Sequence, residues 1–272
     1  KSVHQIELVG GRAVYEAGET RYSTSNLGIP SQEKIESQRE TQFSQILESR
    51  KIDIERIVKK IQAEEARRIL VIGDTIVDQF VDCDPLGMSS EAPLVVVKER
   101  ERQDFLGGAG IVAAHLLALG AHAIYLSVIG DDAQGEVASR KLIEYGVQSH
   151  LIRDPGRPTT SKIRYLVDRQ KIFRVSQLSE NVVSGAIEEQ LISKLEELAS
   201  SLDAIVVSDF NYGVVTPRVL SILEGLVKAY GIRVFGDLQC SSQIGNVGKF
   251  RGFFALTPTE REARIALSNQ TD

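Results

Sequence analysis

Between Arg68 and Gly108 the chain carries residue types suited to binding a hydroxylated ligand. An apolar run ending Val71-Ile72-Gly73-Asp74 is followed by Asp78, and then by Phe105-Leu106-Gly107-Gly108 at the start of a second apolar segment. A short Val/Ile run ending in Gly-Asp reads as the first strand of a parallel sheet. It delivers acidic side chains to the strand's carboxyl end, where open α/β sheets bind ligands. Asp78 can accept hydrogen bonds from paired sugar hydroxyls. The pair Gly107-Gly108 lets a backbone approach a ligand where a Cβ would clash.

Lys162 and Arg164 stand two apart in a stretch of strand-like alternation, so both point to one face. Neighbouring cations repel unless an anion or solvent lies between them. Arginine takes phosphate with a bidentate fork and lysine takes it as a point charge. A phosphate site and a solvated strand face are both open readings of this pair. Ser208-Asp209-Phe210, with Gly213 after it, closes another strand, where Asp209 suits an Asx turn. Asp131 or Asp132, before Gly135, makes a helix N-cap. In Thr257-Pro258-Thr259-Glu260-Arg261-Glu262, ordinary capping explains Thr259 and Glu262, since a carboxylate in a first helical turn is favourable by the dipole alone. Gly108-Ala109-Gly110-Ile111-Val112-Ala113 formally satisfies a dinucleotide fingerprint. The charged stretch before it, Glu99 to Asp104, is unfit for the buried strand that such a fingerprint must follow, so no dinucleotide site is expected.

Positioning these groups requires a regular frame. Strand-like runs cover 69–72, 124–129, 204–207, 234–235 and 253–256, and helical patterns cover 109–119, 133–145, 187–200, 217–230 and 260–268. The alternation predicts an α/β doubly wound, mainly parallel sheet. Two β-like stretches, 94–98 and 161–175, interrupt it, with Asp168-Arg169-Gln170 as a turn into a return strand. A half-polar sheet inserted into an α/β core suits a small β lid over a polar ligand. Residues 31–66 read as a helical linker. Of residues 31–68, 17 of 38 are charged, with Ile54, Ile57, Val58 and Ile61 as a helical stripe and Asp53 as N-cap.

Composition excludes several classes. A net charge of −5 gives no nucleic-acid footprint, and no apolar run approaches the roughly 20 residues needed to span a bilayer. Cys83 and Cys240 stand apart without Cys or His at ligand spacing, which argues against a disulfide or a cysteine metal site. With no signal-peptide pattern at the start, the expected compartment is the cytoplasm. The chain starts with Lys1 and ends at Asp272 just after an apparent helix, so it is expected to be part of a longer polypeptide.

The segments from Gly73-Asp74 to Thr257-Glu262 resemble the PfkB, or ribokinase-like, family of carbohydrate kinases over about residues 67–272. The nearest likeness within it is to the heptose 7-phosphate kinase domains of bifunctional ADP-heptose synthesis proteins. The resemblance implies a ribokinase-like fold, ATP with Mg²⁺, and phosphorylation of D-glycero-D-manno-heptose 7-phosphate at its anomeric hydroxyl for lipopolysaccharide precursors. Asp78, Gly107, Gly108, Lys162, Arg164 and Asp209 would bind substrate. Thr259 and Glu262 would serve the nucleotide, with Glu262 also in the metal shell. The family's lids often pair, which implies a possible homodimer. Gly10-Gly11-Arg12 and the polar run at Ser23 to Asn26 resemble the end of a nucleotidyltransferase domain, so 1–30 is expected to be its remnant. Ile111 and Thr259 each stand where the family usually has asparagine. The family's catalytic Gly-Ala-Gly-Asp turn has no counterpart, because Gly108-Ala109-Gly110 is followed by Ile111. The catalytic base is therefore expected beyond Asp272 and the chain alone is expected to be inactive. Another small sugar or a nucleoside as substrate, and a non-catalytic sugar-phosphate-binding module, stay open.

Overall fold

A computed structural model describes residues 32–63, 66–239 and 247–267, so the expected nucleotidyltransferase remnant lies outside the described residues. The chain divides into two compact units, 1–60 and 61–272. In the first, α1 (Gln32–Arg50) precedes α2 (Ile54–Ala63), which runs on past residue 60. Asp53 caps α2 as expected, its carboxylate accepting from the Arg56 amide at 2.9 Å.

In the second unit, β1 (Arg68–Gly73) is the centre of a six-stranded sheet. The others are β4 (His122–Gly130), β5 (Gln148–Asp154), β8 (Ala204–Asp209), β9 (Arg233–Leu238) and β10 (Ala255–Leu256). Their order is β10-β9-β8-β1-β4-β5, and each described pairing is parallel. Strand side chains alternate between faces, so β1 feeds two cores at once. Leu70 and Ile72 pack with α5 (Gly185–Ala199) and α6 (Pro217–Tyr230) through Leu191, Leu195 and Leu223. Val71 packs on the other face with α3 (Gly108–Ala118) and α4 (Ala133–Glu144) through Ala109, Ala113 and Leu142. Helices on both faces explain why these strands read as unbroken apolar runs. The chain ends its described course in α7 (Glu260–Ala266).

The lid is a four-stranded mixed sheet of order β3-β2-β6-β7, made of β2 (Thr75–Met88), β3 (Val95–Gly107), β6 (Thr160–Val167) and β7 (Gln170–Gln177). The expected return strand is present: Asp168 and Arg169 have φ of 49° and 65°, the paired positive values of a two-residue type I′ hairpin. Only Asp74 separates β1 from β2, so the lid grows straight out of the central strand. The β2–β6 pair is parallel and sets Asp78 opposite Lys162 and Phe80 opposite Arg164. No described helix is long and apolar enough to cross a membrane.

Leu126, fully buried on β4, is one of the side chains on which the α5–α6 face closes. Leu126→Ala is expected to cost about 2–5 kcal/mol by lost transfer energy and a residual cavity, seen as a lower thermal midpoint. An unchanged midpoint would contradict the packing described.

Candidate active site

In this sheet the chain passes from β1 outward to β4 and β5, then crosses back to β8 on the other side of β1. The crevice at such a reversal, beyond the strands' carboxyl ends, is where ligands bind in open α/β sheets. Asp74 and Asp209 occupy it, each 1% exposed. Asp74 accepts from the backbone amides of Phe210 at 2.8 Å and of Tyr212 and Val214 at 3.2 Å each. Its own carbonyl receives the Ala109 amide at 3.0 Å, which joins the start of α3 to the same point. Gly108 sits at φ 57°, and a Cβ there would lie 2.3 Å from the Asp74 carbonyl oxygen.

Above the crevice, one face of the lid gathers Asp78, Phe80, Lys162 and Arg164. Arg164 is ion-paired to Asp78, its guanidinium 5.2 Å from the centre of the Phe80 ring. Gly107 permits this pair, because a Cβ on it would come within 2.4 Å of the Asp78 carboxylate. Lys162 is 5% exposed, so it does not belong to a solvated face. Its ammonium lies 5.3 Å from the ring centres of both Phe210 and Tyr212. Desolvated cation–π contacts of this kind contribute about 2 kcal/mol each. The repulsion expected between the two lysine and arginine cations is thus relieved by a carboxylate on one and aromatic faces around the other.

At the end of β8, Asp209 makes the Asx-type turn, accepting from the Asn211 amide at 2.7 Å. Its other oxygen is ion-paired with Lys249, which also donates to the Asn211 side-chain oxygen at 3.0 Å. Thr259 and Glu262 form a capping box on α7: the Thr259 amide donates to the Glu262 carboxylate at 2.7 Å, and the Glu262 amide to the Thr259 hydroxyl at 3.3 Å. Thr257, just before it, donates to Asp237 at 2.8 Å.

Burial, then the nearby Asp209 charge, pushes the Asp74 carboxyl up to about 6, against the three amides that favour its ionised form. Burial likewise holds the Arg157 guanidinium below its ordinary range. Burial would raise Asp132, but hydrogen bonds from Gly135 and Thr159 outweigh it and hold that carboxyl low.

The structure therefore gathers Asp78, Gly107, Lys162 and Arg164 on one lid face, with Gly108 and Asp209 in the crevice below. Thr259 and Glu262 stand apart from them, at the start of α7 beyond β9 and β10. Sequence reasoning placed Asp74 at the carboxyl end of the first strand without naming its partners, and gave no role to Arg157, Lys249 or the rings of Phe210 and Tyr212. Asp74 had a signal as the end of Gly-Asp, and Phe210 as part of Ser-Asp-Phe.

Residues 66–272 match the description "pfkB family carbohydrate kinase". The chain belongs to the PfkB family. Among curated relatives it is 35% identical over 216 residues to the bifunctional protein HldE of Trichlorobacter lovleyi, which covers 79% of this chain and 43% of that protein. The bifunctional protein HldE of a Bradyrhizobium species is 33% identical over 214 residues, covering 78% and 43% respectively. The chain thus spans less than half the length of these relatives. The fold is shared with Escherichia coli phosphofructokinase-2 in complex with substrates and products, at TM-score 0.59 and 16% identity over 76% of this chain and 65% of that one. It is shared too with a carbohydrate kinase from Agrobacterium tumefaciens, at TM-score 0.52 and 18% identity over 74% of this chain and 63% of that one.

Gly108→Ala forces a side chain into a left-handed conformation against the Asp74 carbonyl. A loss of roughly 1–3 kcal/mol is expected, read as a lower urea midpoint with an unchanged slope. A midpoint equal to that of the wild type would contradict the close approach.

Proposed function

We propose that this chain carries the sugar-phosphate site of an ATP-dependent carbohydrate kinase. Its substrate in this reading is D-glycero-D-manno-heptose 7-phosphate, phosphorylated at the anomeric hydroxyl on the route to ADP-heptose and lipopolysaccharide. The observation that carries it is the desolvated Lys162 ammonium beside Arg164 on the lid face above the crevice. The sequence resemblance to heptose 7-phosphate kinases and the HldE relatives support the choice of sugar.

The chemistry follows from the ion pair. A ligand offering both hydroxyl donors and a phosphate acceptor can exchange the Asp78–Arg164 contact for two charge-assisted ones. Asp78 then takes the hydroxyls, Arg164 the phosphate oxygens with its fork, and Lys162 adds a point charge. A nucleoside or an unphosphorylated sugar would bring no anion to Lys162 and nothing to replace Asp78 on Arg164. The lid, rooted at Thr75 and Thr160, would exclude water from the transferring group. Asp209, held beside Lys249, would line the floor.

Among the described residues no group of three His, Cys, Asp or Glu side chains is placed to hold a metal. Mg²⁺ commonly keeps its waters and shares one or two carboxylates with substrate phosphates, so a single carboxylate suffices on the protein side. Glu262, already hydrogen-bonded to its helix cap, fits contact through metal-bound water, with Thr259 on the nucleotide side. Neutralising phosphate charge is the chemistry such an ion supplies. The exposed Phe173 and Val175 on the outer lid strand, 47% and 45% exposed, suit the proposed homodimer.

The test is a coupled ADP-release assay on the full-length protein with heptose 7-phosphate beside unphosphorylated sugars and nucleosides. Turnover of heptose 7-phosphate is expected, and exclusive turnover of an unphosphorylated substrate would overturn the assignment. Asp78→Asn is expected to lose about 1.5–3 kcal/mol of sugar binding with little change in stability. Unchanged affinity and turnover would remove that role from Asp78. The homodimer is checked by sedimentation, where Phe173→Asp should leave monomers.

A further inference from the structure

The segment Phe210–Val214 is held by side chains, not by a strand or helix ladder. Its amide donors at Phe210, Tyr212 and Val214 all go to the Asp74 carboxylate. Its Tyr212 carbonyl accepts from Nη2 of Arg157, which also reaches the carbonyls of Asn181 at 3.3 Å and Ser179 at 3.4 Å. Gly213 closes the junction: a Cβ there would meet the Asn181 carbonyl at 2.1 Å, and its carbonyl receives the Val183 amide at 3.1 Å. On its outer side the same segment presents the two rings that flank the Lys162 ammonium.

We propose that Asp74 and Arg157 are positioning residues that act through Lys162: together they clamp the 210–214 segment so that the Phe210 and Tyr212 rings hold the ammonium over the crevice. The proposal rests on the reading of Lys162 as a sugar-phosphate ligand. The chemistry of the carboxylate decides the mechanism. An ionised carboxylate only accepts, so two oxygens can serve three amide donors. Once protonated, it loses its charge and one oxygen becomes a hydroxyl, a poorer acceptor, so the amide bonds that hold the segment weaken. The groups facing Asp74 are Asp209 on β8, which favours the proton, Arg157 on the β5–β6 connection, which opposes it, and Tyr125 on β4, whose hydroxyl burial keeps protonated.

The sign of the pH effect distinguishes positioning from stability. With its carboxyl raised to about 6 from an ordinary 3.8, Asp74 takes up a proton on folding between those values. Its own contribution to stability is therefore largest at low pH and falls as pH rises through that window. Acidification below about 6 should weaken sugar-phosphate binding without this group loosening the fold.

The experiment measures KM and kcat for heptose 7-phosphate against pH on the full-length protein, with Asp74→Asn, Arg157→Lys and Lys162→Ala. Asp74→Asn and Arg157→Lys are each expected to raise KM about tenfold with kcat within about threefold, the loss of one charge-assisted contact. The substrate phosphate also titrates near 6, so Asp74→Asn should keep the phosphate's acid limb and lose the remainder. In the Lys162→Ala background neither substitution should raise KM further. Two readouts need no substrate: faster amide exchange at Phe210, Tyr212 and Val214 in Asp74→Asn, and a loss of the ring-current shift on the Lys162 side-chain protons. Unchanged exchange, an unmoved Lys162 signal, or an equal KM effect in the Lys162→Ala background would overturn the proposal. Absence of wild-type turnover with heptose 7-phosphate would overturn the sugar assignment instead, and the two spectroscopic readouts would then decide the clamp.

Discussion

The constraint on which the rest depends is that the first strand of the sheet lies inside it, flanked by β8 and β4. A chain that starts in the middle must extend the sheet one way, stop, and return to extend it the other way. The connections leaving β1 and β8 therefore diverge, and a crevice opens between them at the strands' carboxyl ends. Because a single residue separates β2 from β1, the lid is obliged to rise from that same crevice. Site and fold are one consequence of strand order.

Such a junction buries polar backbone that no ladder can satisfy, and buried polar groups must find partners. The chain supplies them from short side chains. Ser127 donates to the Gly73 carbonyl at 2.6 Å and receives the Thr75 hydroxyl at 2.8 Å. Asp132 accepts from the Thr159 amide at 2.8 Å while the Thr159 hydroxyl accepts from Gly130, also at 2.8 Å. Both strands that bring charged groups to the ligand face, β2 and β6, thus begin at points pinned to the core. Networks satisfied in this way fix geometry more than they add net stability.

The central strands and the helices were legible because burial on two faces writes continuous apolar runs, as at 69–72 and 124–129. The lid strand β3 was legible only at 94–98. Residues Glu99–Asp104 lie in β3, which among the described strands pairs with β2 alone, at the sheet's edge, so charged side chains are tolerated there and mask the pattern. The edge strand β5, Gln148–Asp154, was missed for a similar reason, since none of its residues is fully buried. Within the site, Asp78, the glycine pair and the two cations were legible as types, but their meeting depends on the parallel β2–β6 register, which no local spacing encodes. The Asp74 contacts were out of reach altogether, because its donors lie 136 to 140 residues further along. The capping of α7 by Thr259 and Glu262 was readable, being made within four residues.

Strand order also imposes a sequence of events on a growing chain. When β1 leaves the ribosome, neither neighbour exists, and its apolar side chains on both faces have nothing to pack against. Pairing with β4 becomes possible some fifty residues later, whereas β8 arrives only after the lid and α5 have been made. Contacts this distant are slow to form because loop closure must precede them. The α3–α4 side of β1 can condense first, leaving Leu70 and Ile72 uncovered until synthesis reaches the second half. During that interval the nascent chain offers an apolar face to chaperones and to other copies of itself.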